Sequence, residues 1–128
     1  MKLAKVFIRS ELKNLTSNEI NTFEGKGIYH DNQLSFIEDT ISVTIHFLEN
    51  KLKIVRKTDD YQLEMEFQKG SITEAISTLF KESHKIYLQV ETNVLLWENN
   101  ELTLHYQLMQ NHVLINQFQY HLKFEVVK

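Results

Sequence analysis

Six histidines, His30, His46, His84, His105, His112 and His121, are the first candidates for chemistry in this 128-residue chain. Imidazole is a common ligand for zinc, copper and nickel. Their spacing argues against a metal site: no two stand at i, i+2 on a strand or i, i+4 on a helix, and three fall on the polar side of alternating runs. Glu64 and Glu66 offer a pair of carboxyls, but acid–base catalysis needs two carboxyls converging on one cleft. These two alternate with Leu63, Met65 and Phe67, as residues of a hydrated outer face do. The chain has no glycine-rich phosphate loop and no serine in a nucleophile-elbow pattern. It also has no cysteine, so thiolate nucleophiles, disulfides and cysteine-ligated metals are excluded. The expectation is a protein that is not an enzyme and holds no metal or cofactor.

Binding residues stand out more than catalytic ones. Only two arginines occur against twelve lysines. Arg56 shares strand parity with Leu52 and Ile54, which predicts an inward guanidinium, whereas Arg9 shares its face with Lys5, Glu11 and Lys13 and is expected outside. An inward arginine needs a partner, because a buried unpaired charge is expensive. Glu24 and Glu98, each near a strand end after an apolar stretch, are the expected carboxylates; alternatively the guanidinium waits at a mouth of the fold for the acidic group of a ligand. Trp97, the single tryptophan, and Phe23, Tyr29, Phe36, Phe47, Tyr61, Phe67 and Tyr106 either fill a core or line a cavity for an apolar molecule. Trp97 lies in Val94-Leu95-Leu96-Trp97-Glu98, with apolar residues on both faces, and should be at least half buried. Arg56, Trp97 and Tyr106 are the candidate ligand-binding residues.

The elements that must position these side chains are strands. Tyr61-Gln62-Leu63-Glu64-Met65-Glu66-Phe67-Gln68 places apolar residues at every odd position and polar ones at every even position, a period of two that no helix can put on one side. Ile41, Val43, Ile45 and Phe47 alternate in the same way, as do Leu102, Leu104, Tyr106 and Leu108 and the C-terminal run through Phe118, Tyr120, Leu122, Phe124 and Val126. Asn, Asp and Gly punctuate the runs at intervals of about 8 to 12 residues, which is the mark of an all-β meander. The pattern predicts about ten strands, over 4–14, 19–29, 33–38, 41–48, 51–58, 61–68, 71–80, 85–92, 94–98 and 101–109, with 113–127 as an eleventh where two neighbours merge. Glu74 to Lys81 would also fit two helical turns, but is expected to be strand. Sequential antiparallel strands remove their exposed edges by closing into a barrel, and an open sandwich is the competing arrangement.

Length and composition agree with one domain over residues 1–128, since 42% hydrophobic and 24% charged residues are near globular averages. The net charge of −3 with no basic run leaves no footprint for nucleic acid. Lys5 and Arg9 interrupt the opening segment where a signal peptide needs a continuous apolar stretch, and no window has the roughly 20 apolar residues of a membrane span. A cytoplasmic protein with no membrane partner is therefore expected.

With the strands placed, Ile8-Arg9-Ser10, Glu24-Gly25-Lys26-Gly27-Ile28-Tyr29, Leu34-Ser35-Phe36-Ile37-Glu38, Ile54-Val55-Arg56-Lys57 and Met65-Glu66-Phe67-Gln68-Lys69-Gly70 fall in an order and spacing that resembles the YwiB-like family. These are small bacterial proteins of unknown function. The resemblance implies a lipocalin-like (calycin) β-barrel and supplies no active site to transfer. Family members tend to carry a Pro and Gly turn where this chain reads Thr78-Leu79-Phe80-Lys81-Glu82-Ser83-His84-Lys85-Ile86, so that loop should differ. The expected function is non-catalytic binding of a small apolar or acidic ligand in the barrel. The rival is an interaction module with a solid core that works through its outer surface.

Overall fold

A computed structural model describes residues 3–127. They form ten antiparallel strands: β1 (Ala4–Asn14), β2 (Glu19–His30), β3 (Gln33–Glu38), β4 (Ile41–Leu48), β5 (Lys51–Lys57), β6 (Tyr61–Phe67), β7 (Ile72–Leu79), β8 (His84–Glu98), β9 (Glu101–Gln110) and β10 (Val113–Val126). Each strand pairs with its sequence neighbours, and β1 pairs with β10, so the meander closes into a barrel. Among the described residues no helix is long and apolar enough to cross a membrane.

The alternation in the sequence is the alternation of burial. Val43, Ile45 and Phe47 on β4 and Leu102, Leu104, Tyr106 and Leu108 on β9 are buried, and the residues between them are at least partly exposed. Their neighbours Val6 and Ile8, Leu34 and Phe36, Met65 and Phe67, and Leu122 and Phe124 meet them in one continuous core. Each large apolar side chain withdrawn from water contributes roughly 1.5–3 kcal/mol. Tight turns are set by left-handed pairs, Asp31 with Asn32, Asn99 with Asn100 and Asn111 with His112, all at positive φ. Two such residues in succession give the turn whose twist matches flanking strands. Segment 72–79 is a strand, with Ala75 in the core. The β7–β8 connection turns without Pro or Gly through Ser83 at φ 49°, with the Ser83 N–H donating to the Phe80 carbonyl at 3.3 Å.

One expected boundary is corrected. Segments 85–92 and 94–98 are one strand, β8, carrying a bulge between Thr92 and Val94. The extra residue, Asn93, reverses the parity of the strand. Leu88, Val90 and Thr92 point inward before it, and Leu95 and Trp97 after it, which leaves Leu96 53% exposed. Val94 and Leu96 share the outer parity after the bulge, so apolar residues lie on both faces of this run.

The barrel is splayed at two places. β2 pairs with β3 only from Gly27 to His30, so Glu19–Lys26 has a neighbour on the β1 side alone. β8 leaves β7 after Glu91; the Gly70 N–H to Thr92 carbonyl bond (3.0 Å) and the Thr92 N–H to Ser71 carbonyl bond (3.3 Å) are the last ties, and the remainder of β8 pairs with β9. The up-and-down order gathers the β2–β3, β4–β5, β6–β7 and β8–β9 turns at one end of the barrel and the other five connections at the opposite end.

Candidate ligand site

At the first of these ends the bulged half of β8 faces the β4–β5 and β6–β7 turns. Trp97 stacks on Phe47 with ring centroids 3.9 Å apart and planes at 15°, and on Phe124 at 5.8 Å; Tyr29 stacks on Phe124 at 5.1 Å. Aromatic contacts of this kind contribute about 0.5–1.5 kcal/mol each beyond their burial. Beside this stack opens a cavity of about 540 Å³. Phe47, Leu52, Leu95 and Trp97 make its apolar wall, and Asn50, Lys51, Gln68 and Lys69 make its polar rim. The rim is placed by turn chemistry: Asn50 at φ 64° and Gly70 at φ 75° fold the two hairpins back so that each offers a lysine to the same opening. Trp97 is more than half buried there.

Arg56 lies at the other end. Its Nη2 donates to Glu38 Oε2 at 3.3 Å, with both side chains about one-fifth exposed. The expected partners, Glu24 and Glu98, are therefore wrong. Glu24 sits outside with Arg9 at 3.8 Å, and Glu98 is exposed beside the β8–β9 turn, at the far end of the barrel. Glu38 was legible by the rule that placed Arg56, because it continues the inward parity of Leu34 and Phe36 on β3. A carboxylate at the end of that short strand reaches the guanidinium across β4.

Tyr106 does not line the Trp97 cavity. Its ring meets Phe67 edge-on at 4.8 Å and stacks on Phe118 at 5.1 Å. Burial pushes its phenol well above the usual range, the Arg56 guanidinium pulls it part of the way back, and Tyr120 adds to the rise. Tyr120, which sequence reasoning passed over as one more core aromatic, is raised likewise by burial; Arg56 opposes the rise and Glu38 adds to it. Arg56 thus acts on both phenols, and Glu38 on Tyr120. The Tyr120 hydroxyl is buried and makes no hydrogen bond of normal geometry, although Ser10 beside it pulls the phenol partly back down, and the Thr92 hydroxyl is orphaned. A buried polar group left unsatisfied costs about 1–3 kcal/mol.

The histidines stay apart. His121 pairs with Glu101 at 2.6 Å, His30 lies 3.4 Å from Asp31, and among the described residues no three metal-capable side chains cluster. The structure thus separates the three candidate residues, with Trp97 at one end of the barrel, Arg56 at the other, and Tyr106 in the core between them, opposite Thr92 and packed on Phe67 and Phe118.

The ten strands close into an antiparallel up-and-down β-barrel, lipocalin-like in architecture. Among solved structures the chain is similar to the ywiB protein from Bacillus subtilis, with a TM-score of 0.71 at 13% sequence identity over 98% of this chain and 92% of that one. No protein-family model matches the sequence, and no curated protein does. The likeness is one of fold.

Proposed function

We propose that the protein is a non-catalytic binder of a small, largely apolar ligand bearing an acidic group, and that the Trp97 cavity receives it. The observation that carries this reading is the pairing of an apolar wall with two ammonium groups at one opening. A volume of about 540 Å³ lies within the range of small-molecule sites, which are mostly apolar with a few placed polar groups. Phe47 and Trp97 offer flat surfaces to an apolar body, while Lys51 and Lys69 stand where an acid group would emerge. Because Trp97 is the single tryptophan, its fluorescence reports occupancy without a label. Titration with octanoate and with anilinonaphthalene sulfonate should shift that emission, and the double variant Lys51→Glu, Lys69→Glu should bind octanoate about tenfold more weakly. A flat titration with both probes would reject the reading.

A second reading, an interaction module, is favoured by a different feature. On the outer surface Ile28 and Ile37 border a groove of about 600 Å³ beside the splay of β2 from β3, with Lys5 and Lys26 at its margin. Native mass spectrometry separates the two, since a bound small molecule should leave with the barrel in one case and a protein partner in the other.

A further inference from the structure

We propose that Arg56, together with the Tyr120 hydroxyl, forms a second ligand site that takes the carboxylate of a small organic acid in the place now held by the Glu38 carboxylate. The site lies at the opposite end of the barrel from the Trp97 cavity and stands independently of it. A guanidinium carries five N–H donors in a fork that matches a carboxylate two at a time. Glu38 engages Arg56 through one contact, Nη2 to Oε2, at 3.3 Å, near the long limit for a hydrogen bond. It is the last residue of β3, next to the turn at Asp39 with φ 57°, and its side chain already has some access to water, so it can swing outward without leaving its charge buried.

The second observation is the hydroxyl of Tyr120. It is buried in a residue only 6% exposed and makes no hydrogen bond of normal geometry, although Ser10 lies beside it, and both Arg56 and Glu38 act on its charge. A donor held in that state is completed by an acceptor arriving between it and the guanidinium. A ligand carboxylate has the lone pairs for both, and its charge keeps the neighbouring phenol protonated and able to donate. The acid group needs no preformed void, because it replaces an existing carboxylate. The rest of the molecule meets Leu12, Ile41, Leu63 and Phe118, inward-facing residues only partly buried against the core at this end.

Glu38 is then a built-in competitor, and removing its charge should strengthen binding, the reverse of what a purely structural ion pair predicts. Calorimetric titration of the full chain with sodium benzoate, with benzamide as the uncharged control, tests this. Benzoate should bind the unaltered protein and benzamide should not; Glu38→Gln should bind benzoate about tenfold tighter, and Tyr120→Phe about threefold weaker while remaining folded. Arg56→Met should abolish binding, and if that variant does not fold, Glu38→Gln and Tyr120→Phe still decide. Benzoate binding no better than benzamide, or binding that Glu38→Gln leaves unchanged or weakens, overturns the proposal. Binding lost instead in Lys51→Glu, Lys69→Glu assigns the acid to the other end and overturns it equally.

Discussion

Alkaline pH should weaken this barrel with an unusual steepness, and the two buried phenols set the size of the effect. In the unfolded chain each titrates at the ordinary value of 10.0, whereas burial holds both Tyr106 and Tyr120 well above it in the fold. Stability is therefore fully present below pH 10 and is lost as pH rises through 10 toward the folded values, because only the unfolded state can release these protons. Two such groups cost about 0.8 kcal/mol at pH 10 and about 3 kcal/mol at pH 11, a slope approaching 2.7 kcal/mol per pH unit. Against the 5–15 kcal/mol typical of a domain, roughly a fifth or more of the total disappears over one unit. Urea unfolding at pH 8, 10 and 11 measures it directly. Tyr120→Phe should halve the slope, and because it also removes an orphaned hydroxyl, it should leave stability at pH 7 unchanged or higher. A curve flat from pH 8 to 11, or a Tyr120→Phe variant that keeps the full slope, would refute the placement of these phenols in the interior.

Gly27→Ala should destabilise by about 1–3 kcal/mol in the same urea assay, since the new methyl would lie 2.5 Å from Ile8 Cδ1 and 2.8 Å from the Ser35 carbonyl oxygen. The isoleucine can rotate away, but the carbonyl belongs to β3, whose pairing with β2 is only four residues long; a loss under 0.5 kcal/mol would show that β3 yields. Leu104→Ala, at a fully buried position, should cost about 2–5 kcal/mol. The same truncation at Ile37, 67% exposed, should fall within about 0.5 kcal/mol, and equal costs at both would contradict the assignment of faces.

Much of the architecture was legible because a half-buried strand writes its orientation into every second residue. The run from Tyr61 to Phe67 could be nothing but a strand, and the asparagines at 32, 50, 99, 100 and 111 marked turns that the backbone indeed makes at positive φ. Period-two reasoning fails where a residue is inserted. At Asn93 the count slips by one, so what read as two strands is one with a corner in it. The run from Val94 to Glu98 gave no sign of the slip, since it lies wholly after Asn93 and keeps Leu96 exposed on its outer face.

The same limit governs the site. Parity placed Arg56 inside but says nothing about which of several carboxylates across the barrel comes within reach; that depends on strand tilt and on where β3 stops. Glu24 was excluded by its own face, since it lies directly opposite the outward Arg9 across the β1–β2 ladder. Glu38 shares the inward face and sits at the end of a six-residue strand, a position at which a charged side chain can be inward and still partly hydrated. Tyr120 was harder to see, because in a one-dimensional pattern a tyrosine whose hydroxyl goes unanswered looks the same as one that is satisfied. Only convergence in space distinguishes them. Strands β3, β5 and β10 are separated by up to 82 residues between Glu38 and Tyr120, and the closure of β10 onto β1 brings the last strand round to complete the wall that Arg56 faces. A barrel left open at that seam would keep the core alternation of every strand and lose this polar cluster, so closure, rather than any local motif, assembles the second site.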